Sequence, residues 1–160
     1  SRGLGDVYKR QKLYFLKSVL SAEMRSIMDS VKMREAVEAG KTILGIEFGS
    51  TRIKAVLTNE ENAPIAQGAH DWENRLENNI WTYTLEDIWS GLQDSYQNLV
   101  NDVKEKYDIT LTKVGSIGFS AMMHGYMAFD KDGELLVPFR TWRNTMTAEA
   151  SKELLSLIHI

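Results

Sequence analysis

Chemistry in this 160-residue chain starts at Glu47, which closes a short apolar run, Ile43, Leu44 and Ile46, and immediately precedes a Gly49-Ser50-Thr51 turn. Gly49 lets the backbone bend without a Cβ clash, while Ser50 and Thr51 bring hydroxyls and main-chain N–H groups to one spot, where a phosphate can approach closely. A carboxylate beside that phosphate repels it unless a divalent cation lies between them. With Lys54 on the returning stretch, the set reads as a magnesium-nucleotide corner, Glu47 toward the metal and Gly49, Ser50, Thr51 and Lys54 toward the phosphates. An ordinary hairpin turn containing Gly and Ser has the same pattern, because short motifs recur by chance.

The elements that must hold this corner follow from periodicity. Thr42–Ile46 is apolar enough for a buried strand, Ile53–Leu57 for a second, and Pro64–His70 for a third after the polar turn Asn59–Asn62. Together they predict an antiparallel meander. Asp71–Trp81 reads as an irregular surface crossover, with His70 and Trp72 as structural residues. Thr84-Leu85-Glu86-Asp87 then makes a capping-box start for a helix whose stripe Ile88, Leu92, Leu99 and Val103 faces the sheet, ending near Tyr107. Val114–Phe119 is a buried strand, parallel to the first by the right-handed crossover rule. Tyr126–Phe129 and Leu135–Thr141 flank Asp130-Lys131-Asp132-Gly133 as a hairpin; the DxDG string also opens a calcium loop, but the closing acid lacks a helix-loop-helix setting. Thr145–Leu154 starts another helix.

Composition narrows the class. Hydrophobic residues at 43%, with 4 Trp and 6 Tyr, suffice for a core, so the chain is neither disordered nor fibrous. A net charge of −3 gives no basic footprint for nucleic acid. No cysteine is present, which excludes disulfides and thiolate metal sites and fits a reducing cytoplasm. No apolar run reaches the roughly 18 residues of a membrane helix.

Both ends carry a different signal. Asp6–Gln11, DVYKRQ, can be encoded by GAT GTG TAT AAG AGA CAG, whose reverse complement translates as LSLIHI, the sequence of Leu155–Ile160. One inverted DNA repeat therefore encodes both, and it resembles a sequencing adaptor. Residues 1–11 and 155–160 are accordingly expected to be adaptor-derived scars, 12–40 an N-terminal helical extension, and 41–154 part of a larger domain. Without Arg2, Lys9, Arg10 and Asp6, a net +2, the remainder carries −5. Leu13, Leu16 and Leu20 share one side of the extension, translation is expected to begin at Met24, Met28 or Met33, and Met33–Ala39 reads as a short helix closed by Gly40.

Three antiparallel strands, a helix and a parallel fourth strand match the opening half of a ribonuclease-H-like α/β domain with a mixed sheet. In such sheets ligands gather beyond the carboxyl ends of the parallel strands. Glu47–Ser50 and Ser120–Gly125, SAMMHG, both fall there, some seventy positions apart in sequence, so two loops are expected to converge on one cleft. The stretch IGFSAMMHGYMAFDKDGELLVPFRTWRN resembles the sugar-contacting segment of the FGGY carbohydrate kinases, its Met-His-Gly most like xylulokinases. GIEFGSTRIK resembles the first phosphate motif of those kinases and of the actin, hexokinase and Hsp70 superfamily. The resemblance spans residues 42–154.

That resemblance implies transfer of the γ-phosphoryl of ATP to a hydroxyl of a pentose, ketose or polyol, with Mg2+. It places Met123 and His124 against the sugar, where imidazole can donate and accept and Met gives an apolar wall. Trp142 is expected to stack on the sugar and Arg143 and Asn144 to offer donors, although a hydrogen-bonded loop His124 and a core Trp142 fit the sequence as well. Met122 and Met127 read as core filler. The family places Asp where this chain has Glu47, a carboxylate moved by about one bond length. Its general-base Asp and adenosine loops lie in later segments absent from these residues, so the chain alone is expected to be inactive, with exposed apolar surface. The resemblance implies no nucleic-acid or membrane partner and leaves a homodimer of the full-length protein open. The competing readings are a non-catalytic ATP-binding sugar sensor or regulator, for which Glu47 argues, and an actin- or chaperone-like ATPase, against which Met-His-Gly and Trp-Arg-Asn argue.

Overall fold

The computed structural model describes residues 3–158, with side chains from Lys17 onward. A helix α1 (Gly3–Ala39) precedes strands β1 (Ile43–Phe48), β2 (Arg52–Thr58) and β3 (Pro64–Asp71), a small pair β4 (Arg75–Glu77) and β5 (Ile80–Thr82), helix α2 (Leu85–Tyr107), strand β6 (Ser116–Ala121) and helix α3 (Ala148–Ile158). The main sheet runs β3-β2-β1-β6, antiparallel through the first three strands and parallel between β1 and β6. The mixed α/β sheet expected from the sequence is therefore present.

Alternation along the strands decides which face α2 covers. Leu44, Ile46, Ile53, Ala55 and Leu57 are buried on one face, whereas Glu47 and Lys54 lie on the other. Helix α2 lies over β2 and β3, at a distance that only glycine permits. A Cβ on Gly68 would sit 2.1 Å from the Ser95 carbonyl oxygen, and one on Gly91 would sit 2.7 Å from Ile53 Cδ1. Leu99 and Val103 are thereby sealed against the sheet. At the start of α2 the capping box is complete: Asp87 N–H donates to Thr84 Oγ1 at 3.1 Å, and Thr84 N–H donates to the Asp87 carboxylate at 3.0 Å.

Several elements differ from their sequence expectation. Residues 33–39 are the end of a 37-residue helix and not a short one, and among its described side chains α1 meets the core around Met33 and Val37. Leu13 and Leu16 lie outside the residues with described side chains, and Ser1, Arg2, His159 and Ile160 outside the described residues altogether. Helical backbone crosses both expected boundaries, Gln11 to Lys12 in α1 and Leu154 to Leu155 in α3. The stretch 71–81, expected to be irregular, contains the β4–β5 hairpin, because Asn78 and Asn79 both take positive φ (49° and 62°), the pair that a tight two-residue turn requires. Trp72 in that stretch is buried, not on the surface.

β6 departs most. Expected as a buried strand over 114–119, it begins at Ser116 and is exposed along its whole length, since it forms the sheet edge and α2 stops short of it. Ile117 and Phe119 are 53% and 68% exposed. The hairpin expected around 130–133 reduces to isolated bridges, Tyr126 to Arg140 and Phe129 to Leu135, in a segment where Pro138 offers no N–H. Its turn closes on itself, Asp130 Oδ1 accepting the N–H groups of Asp132 and Glu134.

Candidate functional site

Register fixes the acidic corner. Glu47 is paired across β1–β2 with Lys54 and across β1–β6 with Ser120, so carboxylate, amine and hydroxyl share one face of the sheet. Lys54 Nζ stands 4.0 Å from Glu47 Oε2, both about half exposed. The turn that follows is held from behind. Trp72 Nε1 donates to the Gly49 carbonyl at 2.8 Å, the Tyr83 hydroxyl to the Ser50 carbonyl at 2.6 Å, and Trp72 N–H to the Thr51 carbonyl at 3.1 Å. Three successive carbonyls are thereby engaged toward the core, and the N–H groups of Ser50 and Thr51, both residues exposed, meet no protein acceptor among the described residues. Such an arrangement favours an anion at the outer side.

Gly49 is needed for space. A Cβ there would lie 2.8 Å from the Arg52 carbonyl oxygen, the acceptor of the Gly49 N–H that closes the turn. Behind the turn stands an aromatic column: Trp72 stacks on Tyr83 with centroids 4.1 Å apart, Phe48 lies 6.4 Å from Trp72, and Phe139 lies 5.8 Å from Tyr83. These rings give the turn a rigid floor.

The second loop follows β6 and is tied to the end of β1 by Met122 N–H donating to the Phe48 carbonyl at 3.1 Å. His124 is held at φ 64°, a left-handed conformation that tilts the loop back. A Cβ on Gly125 would sit 3.0 Å from the Phe139 ring, so the aromatic column supports this loop as well. Ser50, Met122, Met123, His124 and Trp142 line one hollow of about 400 Å³. The two loops thus converge, as the strand order predicts. Glu47 is not in that lining; it lies on the adjoining sheet face, three positions before Ser50.

A larger open groove of about 850 Å³ adjoins it, also walled by His124 and Trp142 and reaching Arg140 and Thr147. Met123 and Trp142 are 77% and 58% exposed, so Trp142 is not a core residue in this chain. Met122 packs against the core, whereas Met127 is exposed beside Phe119, contrary to its expected role as core filler. Arg143 and Asn144 are engaged differently from the expectation that they offer donors to a sugar. Asn144 accepts from Trp81 N–H at 2.8 Å and donates to the carbonyls of Trp81 at 2.8 Å and Thr141 at 3.0 Å, which occupies its amide. Arg143 donates to Asn74 Oδ1 at 2.8 Å while its guanidinium stacks 3.8 Å from the Trp81 ring centre. The pair fastens the Trp142 turn onto β5.

Two contributors escaped the sequence reading: Tyr83 and Trp81. Nothing in their spacing marks them, since each acts through a partner 33 or more positions away. A magnesium nucleotide is compatible with the residues present. Among the described residues no three acidic or histidine side chains gather as a metal cage, but magnesium bound with phosphates needs only one or two carboxylates and water. Glu47 can supply one such carboxylate, and the Ser50 and Thr51 N–H groups can meet phosphate oxygens but not the cation. No helix among the described residues is long and apolar enough to cross a membrane.

Comparison with known proteins agrees with this fold. The chain is 27% identical over 116 residues to a glycerol kinase of Trichodesmium erythraeum (strain IMS101), covering 71% of this chain and 22% of that protein. In fold it resembles a xyloylose kinase from Brucella ovis (TM-score 0.61, 20% identity, 71% of this chain and 23% of the other). It also resembles Plasmodium falciparum glycerol kinase, solved with ADP (TM-score 0.58, 20% identity, 71% and 22%). The chain spans less than a quarter of the length of these relatives. Residues 42–159 match the N-terminal domain of the FGGY family of carbohydrate kinases, and the chain belongs to that family.

Proposed function

We propose that these residues form the part of an ATP-dependent sugar kinase that cradles the nucleotide's phosphates on one side and a pentose, ketose or polyol on the other. The observation that carries this reading is the hollow shared by Ser50 of the first loop and Met123, His124 and Trp142 of the second. ATP bound with magnesium supplies the transferable phosphoryl group. Glu47 holds the cation's side of the corner, directly or through water, and Lys54, 4.0 Å away, limits the repulsion between that carboxylate and the phosphates. The Ser50 and Thr51 amides orient the phosphates, since their own carbonyls are fixed from the rear. His124 hydrogen-bonds sugar hydroxyls while Met123 and Trp142 cover its C–H face. Asn144 and Arg143 keep Trp142 in place.

The 160 residues by themselves bind without turnover in this reading, because the proton-accepting Asp of the family lies in a later segment. Nucleotide binding to the chain tests it. Mg2+ with ADP raises the melting temperature more than ADP with a chelator, and Glu47→Gln removes the difference while circular dichroism stays unchanged. Equal stabilisation with and without the metal in the unmutated chain contradicts the proposal. For the full-length protein, ADP release with a panel of pentoses and polyols separates a kinase from a binder that never turns over.

A further inference from the structure

Asn74, half-buried in the link between β3 and β4, reaches both loops of the site while lining neither the hollow nor the groove. Its Oδ1 accepts from Nη1 of Arg143, the residue after Trp142, at 2.8 Å. Its Nδ2 donates to the Tyr83 hydroxyl at 3.5 Å, and that hydroxyl donates in turn to the Ser50 carbonyl at 2.6 Å. The direction of the row is fixed at both ends, because a guanidinium has nothing to accept with and a carbonyl nothing to donate. The Ser50 carbonyl and the Thr51 N–H belong to one planar peptide unit. All these groups therefore point the same way, from the Arg143 cation through Asn74 and Tyr83 to the Thr51 N–H, on an exposed residue.

Such a row responds to what its far end meets. An anion that accepts from the Thr51 N–H polarises the peptide unit and makes the Ser50 carbonyl a better acceptor for Tyr83, and each link then strengthens the next. The Tyr83 hydroxyl also senses the opposite end: the Asn74 amide and the Arg143 charge both pull its phenol downward against burial. The slack step is Asn74 to Tyr83, which at 3.5 Å stands at the outer limit of a hydrogen bond and has room to shorten. Arg143, stacked 3.8 Å from the Trp81 ring centre, passes such a movement to its neighbour Trp142.

We propose that Asn74 is a positioning residue that couples the two loops, so that a phosphate held at the Thr51 N–H draws the Trp142 turn tighter over the sugar side of the hollow. This rests on the reading of the first turn as a phosphate site. The test uses the 160-residue chain with a cysteine at Met146, which is exposed and borders the same groove as Trp142, labelled with an environment-sensitive fluorophore. Titration with Mg2+ and ADP is followed by emission and, separately, by melting temperature. The emission shifts and saturates together with the rise in melting temperature, adenosine, which has no phosphate, leaves it unchanged, and Asn74→Ala loses the emission shift while keeping the rise in melting temperature and its far-UV circular dichroism. Tyr83→Phe breaks the row at the next link and loses the shift as well, so the test stands if Asn74→Ala does not fold. A rise in melting temperature with no emission shift before either substitution, an equal shift with adenosine, or a shift that survives in folded Asn74→Ala or Tyr83→Phe overturns the coupling and leaves the phosphate site standing. No rise in melting temperature with Mg2+ and ADP overturns both.

Discussion

Tyr83 donates its phenolic O–H to the carbonyl of Ser50 at 2.6 Å, across 33 positions of sequence, and so joins the residue before the α2 N-cap to the tip of the first hairpin. The contact fixes the turn from inside the core, because Tyr83 is 1% exposed and stacked on Trp72. Order at the phosphate corner is thus inherited from aromatic packing.

Replacing Tyr83 by Phe keeps the stack and removes the hydrogen bond. The expected loss is about 1 kcal/mol, with the thermal midpoint falling by about 2–4 °C. Burial, opposed by the Asn74 amide and the Arg143 charge, raises the Tyr83 phenol above its ordinary value. A raised phenol is held protonated more firmly when folded, so its contribution is complete below about pH 10 and is lost as pH rises through the higher folded value. Tyr83→Phe therefore flattens the alkaline decline in melting temperature. Tyr107, raised chiefly by burial, retains the remainder.

The cap of α2 predicts an acid dependence of opposite sign. Burial disfavours the Asp87 carboxylate, but the Thr84 N–H and hydroxyl and the Arg75 guanidinium outweigh it and hold the group below the usual carboxylate range. That contribution is present above about pH 4 and lost as pH falls through the lower folded value. Urea unfolding at pH 7 should show Asp87→Asn about 1 kcal/mol less stable, with the gap closing toward pH 3.

Much of this architecture was legible beforehand, and the failures share one cause. The meander, the capping box and the parallel return of β6 follow from periods and caps that are local in sequence. Burial of β6 did not, because an apolar strand reads alike whether or not a helix covers it, and here α2 covers only β2 and β3. The Glu47 to Lys54 pairing was readable from a tight turn between two strands. The tasks of Asn144 and Arg143 were not, since a polar residue beside Trp142 gives no sign that its partner is Trp81, 63 positions away for Asn144.

The uncovered edge has a measurable consequence. β6, SIGFSA, carries no charge and no proline to discourage pairing, and its own Phe119 is exposed. Sedimentation velocity is expected to show association that grows with concentration, and Phe119→Lys to shift the chain toward monomer without changing its circular dichroism. A monomeric unmutated chain over the same range would remove the edge from consideration.

Convergence of the two loops is open to direct measurement, because the chain has no cysteine of its own. Cysteines placed at Ser50 and Met123, which line one hollow, are expected to be bridged within one molecule by a short bis-maleimide, while a pair at Ser50 and Ile117 is not. Bridging of the first pair alone, diminished by Mg2+ with ADP, is the result predicted for a shared nucleotide-and-sugar cleft. Equal bridging of both pairs, or none of the first, contradicts it.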